Sequence, residues 1–112
     1  MGKSIAIAGQ DQDHRTLELA GDVNVFVAAE LRRCCVQVSA GASSVTAECD
    51  RVTSLDVAAL QILVALNDTL AAQGGTFRIR GLSEEVVETI HLAGLEKRLG
   101  LSGGSVTKGD DK

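Results

Sequence analysis

Polar side chains that could do chemistry stand directly before the apolar run VAALQIL, in the stretch Thr53-Ser54-Leu55-Asp56. A carboxylate at a helix start accepts hydrogen bonds from the free N–H groups of the first turn. Asp56 is therefore predicted to be the N-cap of a helix that runs to Ala72. Thr53 and Ser54 are predicted to be loop and turn residues. Whether this boundary is only a cap or also a working site is the first question that the sequence raises.

Acid–base or nucleophilic catalysis would need a base beside a nucleophile. The two histidines are far apart in the sequence: His14 follows the run QDQD, and His91 follows an apolar Ile90. His14 is predicted to be a solvated turn residue and His91 a residue at the edge of a helix. No catalytic residue is predicted, and the chain is not expected to be an enzyme.

The spacing of the Asp and Cys residues does not indicate a metal site or a disulfide framework. Asp11, Asp13 and Asp22 could suggest a cation, but the run DQDH lacks the glycine and the distal glutamate of a calcium loop. Cys34 and Cys35 are adjacent, and no CxxC pattern exists. We predict no metal, no cofactor and no nucleotide site, and cysteines that are small core residues in a reducing compartment.

The composition narrows the class of partner. The chain has 112 residues, a net charge of −4 and no Trp or Tyr, so it offers neither the basic surface nor the aromatic platforms of a nucleic-acid-binding protein. No apolar run approaches the ~20 residues of a membrane span, and the N-terminus does not read as a signal peptide. The expected location is the cytoplasm, with no membrane insertion.

Hydrophobic periodicity predicts four strands and three helices in the order β-β-α-β-α-β-α. The predicted strands are residues 4–8, 15–20, 43–49 and 76–80, the first two forming a hairpin. Gly21-Asp22 is predicted to end the second strand, and 50–55 to be a short connection. The predicted helices run from Val23 to a stop at Gly41, from Asp56 to Ala72, and from a cap at Ser83 through an apolar side that includes Leu95. Residues 1–99 are predicted to form one domain and residues 100–112 a flexible tail.

Two stripes are predicted on the first of these helices. The stripe that faces the core consists of Val27, Leu31, Cys34 and Val38, and the stripe that faces solvent contains Glu30, Arg33 and Gln37. The second helix is apolar on most sides, which predicts that it lies between the sheet and another element.

Three segments together resemble the STAS domain, the fold of bacterial anti-sigma factor antagonists: LELAGDVNVFVAAEL, VTSLDVAALQIL and GGTFRIRGLSEEVVETIHLAGL. The resemblance covers roughly residues 5–99. It implies an α/β fold, with a mixed β-sheet of about four to five strands and helices packed against it. Glu48 matches an acidic residue that ends the third strand in the family, Val52 the hydrophobic step after it, and Gly21 the glycine that follows the second strand.

The family opens its central helix with Asp-Ser-Ser-Gly-Leu, and in partner-switching members a cognate kinase phosphorylates the second serine. The five matching positions are Asp56, Val57, Ala58, Ala59 and Leu60. Because Ala58 has no hydroxyl, the usual phosphorylation switch is absent at the family position. Thr53 and Ser54 are the alternative candidates for phosphorylation. Without a phosphate, the surface is expected to stay in the state of an unphosphorylated member.

The resemblance implies a non-catalytic protein–protein interaction domain in bacterial signal regulation. The expected partner is an anti-sigma factor or a kinase-like regulatory protein. Two alternatives remain open: a chemotaxis-linked accessory domain that binds a chemotaxis protein, and a STAS subunit that binds the ATPase of an ABC lipid-transport complex. The predicted partner-binding residues are Asp56, Val57, Ala58, Gln61, Thr53, Ser54, Asp22 and Asn24.

Overall fold

A computed structural model describes residues 5–8 and 13–99 and confirms the predicted order of elements. The predicted tail, residues 100–112, lies outside the described residues. The elements are β1 (Ile5–Ala8), β2 (His14–Val23), a 3₁₀ turn (Val25–Val27), α1 (Ala28–Ser39), β3 (Ser44–Leu55), α2 (Val57–Ala72), β4 (Thr76–Arg80) and α3 (Glu84–Leu92).

The described strands form one mixed sheet in the order β1-β2-β3-β4. β1 pairs with β2 antiparallel, which confirms the predicted hairpin, and β2–β3 and β3–β4 pair in parallel. Parallel neighbours need a crossover, which α1 and α2 provide. The carboxyl ends of β2 and β3 consequently lie side by side, each followed by the start of a helical segment.

The core lies between one face of the sheet and the helices. Leu17 and Leu19 on β2 are buried while Glu18 between them is exposed, and on β4 Phe77 is buried while Arg78 is exposed. This is the alternation that the sequence predicts for half-buried strands. α1 packs against α2, and α2 also contacts β3 and β4.

The second helix lies between the sheet and another element, as its composition predicts, and seven of its sixteen residues are buried. α1 lies against one side of it and the sheet against another. Its buried side chains are Ala59, Leu60, Ile62, Leu63, Val64, Leu66 and Leu70. On α1, Leu31, Cys34 and Val38 of the predicted core stripe are buried, and Cys35 joins them.

The two central strands are longer than predicted. β2 continues through Gly21 and Asp22 to Val23, so the prediction that Gly21-Asp22 ends this strand is wrong. β3 continues through 50–55, so the predicted connection there is also wrong, and Glu48 does not end the third strand. The physical reason is irregular pairing. Register shifts between β2 and β3 interrupt the alternation of polar and apolar residues that would otherwise identify a strand.

The ends of two helices also differ from the prediction. The first helix does not start at Val23, which pairs in β2; α1 begins at Ala28 after the 3₁₀ turn. α3 ends at Leu92, so Leu95 is not on its apolar side. Leu95 is still buried, because the chain turns back after the helix and its N–H donates to the Ile90 carbonyl at 3.1 Å.

Candidate partner-binding site

The predicted partner-binding residues lie around the carboxyl ends of β2 and β3. Val23 and Leu55 are paired at the ends of the two strands, and the Asp56 N–H donates to the Val23 carbonyl at 3.1 Å. The segment that leads into α1 and the first turn of α2 therefore start next to each other. In open α/β sheets, sites form preferentially outside the carboxyl ends of the strands.

Asp56 joins these two starts through its side chain. One carboxylate oxygen accepts from the Ala59 N–H at 3.0 Å, which confirms the predicted N-cap of α2. The other accepts from the Val25 N–H at 3.0 Å, across 31 positions of sequence. Both oxygens are thus used inside the protein, and Asp56 fixes the 3₁₀ turn relative to α2. A direct contact of Asp56 with a partner stays a prediction.

Asn24 caps the 3₁₀ turn. Its side-chain oxygen accepts from the Phe26 N–H at 2.9 Å, and its carbonyl accepts from the Val27 N–H at 3.0 Å. Capping the turn with its own side chain leaves the following residues in a tight, fixed conformation. Asn24 was predicted to lie at the start of the first helix. In the structure it instead positions the 3₁₀ turn that leads into α1.

We name the residues Val25, Phe26 and Val57 the apolar patch. Val25 donates its N–H to the Asp56 carboxylate, Phe26 follows Val25, and Val57 follows Asp56. These residues are 61%, 90% and 56% exposed. Of the large apolar residues in the described part of the chain, only Val36 and Leu92 are comparably exposed. Isolated exposed apolar residues need no explanation, but a group of three on one fixed surface is typical of an interaction site.

The sequence prediction included Val57 but missed Val25 and Phe26. The signal for Phe26 was present. Phe26 lies one turn before Glu30, a residue of the stripe predicted to face solvent, but no prediction was made for Phe26 itself. Phe26 is also one of only two Phe residues in the chain.

Asp22 and Ser54 form a polar pair beside this patch. They are partners in the parallel register of β2 and β3, and the Ser54 hydroxyl donates to one oxygen of the Asp22 carboxylate. Both residues are exposed, as is Thr53. The prediction that Thr53 and Ser54 are loop and turn residues is wrong, because both belong to β3.

The other predicted contacts lie on the first two turns of α2. Ala58 is half-buried in the first turn, and Gln61 is exposed one turn beyond Val57. Residues four apart lie on the same side of a helix, so Gln61 extends the exposed surface that Val57 begins.

Each of the two histidines makes a side-chain hydrogen bond. His14 starts β2 rather than lying in a turn, and its ring Nδ1 lies 2.6 Å from the Ser44 hydroxyl. His91 in the last turn of α3 is exposed and hydrogen-bonds to Glu96; this contact raises the pKa of His91 and lowers the pKa of Glu96.

The cysteines are core residues. Cys34, Cys35 and Cys49 are buried and form no disulfide, and burial raises the pKa of Cys35 and of Cys49 to about 12. Thiols with such a pKa are neutral at physiological pH and poor nucleophiles.

Two further observations concern the described residues as a whole. Within 5–8 and 13–99, no three His, Cys, Asp or Glu side chains are grouped so that they could hold a metal ion. None of the described helices is long and apolar enough to cross a lipid bilayer. Of the three aspartates considered for a cation, Asp11 lies outside the described residues, while Asp13 and Asp22 stand at opposite ends of β2.

Several solved structures with this fold are described as anti-sigma factor antagonists. A protein from Thermotoga maritima assigned to that class superposes with a TM-score of 0.73 at 18% identity, covering 83% of this chain and 80% of that one. The antagonist from Mycobacterium paratuberculosis gives 0.68 at 22% identity, covering 86% and 81%. The Bacillus cell-fate determinant SpoIIAA in its phosphorylated form gives 0.68 at 12% identity, covering 83% and 86%.

Sequence comparison gives the family. No curated protein sequence matches the chain significantly. The family model described as "Mlab, STAS domain" matches residues 7–103, which is most of the chain and includes every predicted partner-binding residue. Together with the mixed four-stranded sheet and its helices, this match shows that the chain belongs to the STAS domain family.

Proposed function

We propose that this STAS domain is a non-catalytic protein-interaction domain of bacterial signal regulation that acts in the cytoplasm in the manner of an anti-sigma factor antagonist. Its partner is an anti-sigma factor or a kinase-like regulatory protein. The observation that carries the proposal is the 90% exposure of Phe26 on a turn that two side-chain caps hold in place.

The rigidity of the turn is what makes the exposed Phe26 useful for binding. A few buried aromatic residues usually carry most of the binding energy of an interface. An anchor that is already ordered before binding loses less conformational entropy when it docks. Asn24 fixes the turn itself and Asp56 fixes the turn against α2, so Phe26 and Val57 are presented together.

The absence of a hydroxyl at Ala58 supports constitutive binding. A phosphate at this helix start would add about −1.5 to −2 charges next to Asp56 and change what the surface can bind. Ala58 cannot carry that charge. We therefore propose that a kinase does not relieve partner binding at this position, and that the level of the protein sets the level of the complex.

Two alternative partners use the same surface. A chemotaxis protein or an ABC ATPase would also need no phosphorylated serine, so Ala58 is equally compatible with both. The apolar patch is the proposed docking surface in each case. The identity of the protein bound through Phe26 decides between them.

The test is a pull-down of tagged protein from its own cells, with the bound proteins identified by mass spectrometry. The variants are Phe26→Ala and Asp56→Lys, and the control is Val36→Ala, which removes another largely exposed apolar side chain, about ten residues further along the same segment. The proposal predicts a partner that the wild type and Val36→Ala retain and that the other two variants lose. A chemotaxis protein or an ABC ATPase in that role would move the function to the corresponding alternative. A partner retained by Phe26→Ala would contradict the docking surface.

A further inference from the structure

We infer that Asp22, positioned by Ser54, is the charged contact of this docking surface, and that the partner presents a guanidinium or ammonium group beside the apolar pocket that receives Phe26. The inference rests on the proposed function, because it assumes that the apolar patch is a docking surface. It adds the chemistry of the partner and assigns different roles to the two aspartates.

Asp56 cannot serve as the charged contact without giving up its own hydrogen bonds. Its two oxygens accept from the N–H groups of Ala59 and Val25, both at 3.0 Å, and it is only partly exposed. A cation that bound this carboxylate would compete with the cap of α2 and with the link to the 3₁₀ turn. Asp56 is therefore a positioning residue.

Asp22 has the opposite surroundings. It is exposed, and its single described hydrogen bond is to the Ser54 hydroxyl, through one of its two oxygens. The described part of the chain places no Lys or Arg in an ion pair with Asp22. A carboxylate with one oxygen held and the other open can accept a charge-assisted hydrogen bond from a cationic donor.

The position of Asp22 ties this charge to the apolar patch. Asp22 is two residues before Asn24, whose side chain fixes Phe26, and Ser54 is two residues before Asp56, which fixes Val25. The open carboxylate and the exposed ring therefore belong to one rigid corner of the sheet. A partner that complements this corner combines an apolar pocket with a positive charge at its rim.

Ser54 has a positioning role in this arrangement. Its hydroxyl holds the Asp22 side chain in one orientation, which lowers the entropy cost of forming the contact. Removing the hydroxyl leaves the charge in place but frees its orientation. Ser54→Ala should therefore weaken binding without removing its dependence on salt, whereas Asp22→Asn should remove both.

The experiment measures the affinity of the purified partner, defined as the protein that the wild type captures and Phe26→Ala does not, at about 0.05 M and about 0.3 M NaCl. Asp22→Asn is expected to bind about tenfold more weakly at low salt and to lose most of the salt dependence. Ser54→Ala is expected to bind a few-fold more weakly with the salt dependence retained. Asp22→Glu is expected to retain the salt dependence. Asp13→Asn, at the opposite end of β2, is the matched control and should behave as wild type.

The outcomes separate this inference from the proposed function. If Phe26→Ala still abolishes binding while Asp22→Asn keeps wild-type affinity and salt dependence, the charged contact is refuted and the docking surface stands. If Ser54→Ala binds as wild type, its positioning role is refuted. Failure of Phe26→Ala to affect binding overturns the proposed function itself. Thermal unfolding of each variant is the control: a melting temperature close to that of the wild type shows that a loss of binding does not come from a loss of fold.

Discussion

At the scale of the residue, the site consists of side chains that hold other groups in place and side chains that are presented to solvent. Asp56 and Asn24 belong to the first kind, since their oxygens accept backbone N–H groups. Phe26 and Val57 belong to the second, since most of their surface is exposed. Substitutions of the two kinds should therefore affect different measurements, stability for the first and binding for the second.

Removing the carboxylate of Asp56 should destabilise the fold. Asp56→Ala takes away the cap of α2 and leaves the Val25 N–H without its acceptor, so we expect a loss of about 1–2 kcal/mol in the free energy of unfolding. Urea titration followed by circular dichroism measures it. Asp13→Ala, an exposed carboxylate at the other end of β2, should change the free energy by less than about 0.5 kcal/mol. Equal effects of the two substitutions would contradict the role given to Asp56.

The contact between His91 and Glu96 should give a small pH dependence of stability. The raised pKa of His91 contributes stability that is complete below its ordinary value of 6.5 and is lost as the pH rises through the raised value. The lowered pKa of Glu96 contributes stability that is complete above its ordinary value of 4.5 and is lost as the pH falls through the lowered value. The pair therefore contributes most between pH 4.5 and 6.5.

Melting curves of wild type and His91→Gln across pH test this window. The difference in melting temperature should be largest inside it and shrink on both sides. Because His91 is exposed and Glu96 is half-buried, the difference should also shrink in high salt. A difference that grows above pH 8 would contradict the assigned direction of the His91 shift.

The role of a residue could be predicted from the sequence where that role depends only on its neighbours along the chain, as it does for a helix cap. Asp56 and Ser83 precede apolar helical runs, and both caps are confirmed. Phe26 was missed because its exposure depends on where the helix begins. The Asn24 cap starts a 3₁₀ turn before α1, and periodicity alone does not locate that change.

At the scale of the element, the lengths of β2 and β3 determine where the site is. The two strands end together at Val23 and Leu55, and this shared end brings Asp22, Ser54 and Asp56 to one corner. The sequence predicted shorter strands because the register shifts break the alternation near Glu18 and Gly21. A strand with broken alternation is held in place by pairing with a strand that is distant in the sequence. The local pattern of residues does not reveal that pairing.

Two glycines at element junctions provide a matched test of packing. Gly74, after α2, and Gly81, after β4, both have positive φ, at 80° and 78°. A Cβ at Gly74 would meet nothing within 4 Å, whereas one at Gly81 would lie 2.8 Å from the Asp50 backbone nitrogen. Gly74→Ala should cost about 1 kcal/mol from its backbone conformation alone.

Gly81→Ala should cost clearly more, because the Asp50 backbone in β3 must move away from the new methyl group. We expect at least about 2 kcal/mol in the free energy of unfolding, measured by urea titration of both variants. Equal losses would show that β3 yields at this point and would contradict the close packing of the β4–α3 junction against it.

At the scale of the whole molecule, one core connects the sheet with the helices, and the cysteines report on its integrity. Cys35 on α1 and Cys49 on β3 are both buried, with the pKa raised to about 12. At pH 8 only about 1 in 10⁴ of such thiols is ionised, and access of reagent is blocked as well.

Thiol labelling of the native protein should therefore be slow and limited by global opening. Labelling with a disulfide reagent, followed by absorbance in native buffer and in urea, is expected to be fast for all three cysteines only after unfolding. Rapid labelling of Cys35 or Cys49 under native conditions would contradict the packing of α1 on the sheet.

The fold as a whole could be predicted better than its surface. The order of elements, the hairpin and the buried α2 follow from periodicity and composition, which act along the entire chain. The apolar patch is different, because it combines Val25 and Phe26 with Val57, about thirty positions away. Only the parallel pairing of β2 with β3 brings the two segments together, and that pairing is a property of the folded molecule.

The most direct test of the docking surface is site-specific photo-crosslinking in the cells that produce the protein. A photoreactive phenylalanine analogue replaces Phe26 in one variant and Val36, an exposed residue about three turns further along, in the control. The docking surface predicts one dominant cross-linked protein from position 26 and none from position 36. No adduct at position 26, or the same adducts at both positions, would contradict the claim that this corner of the sheet is where a partner binds.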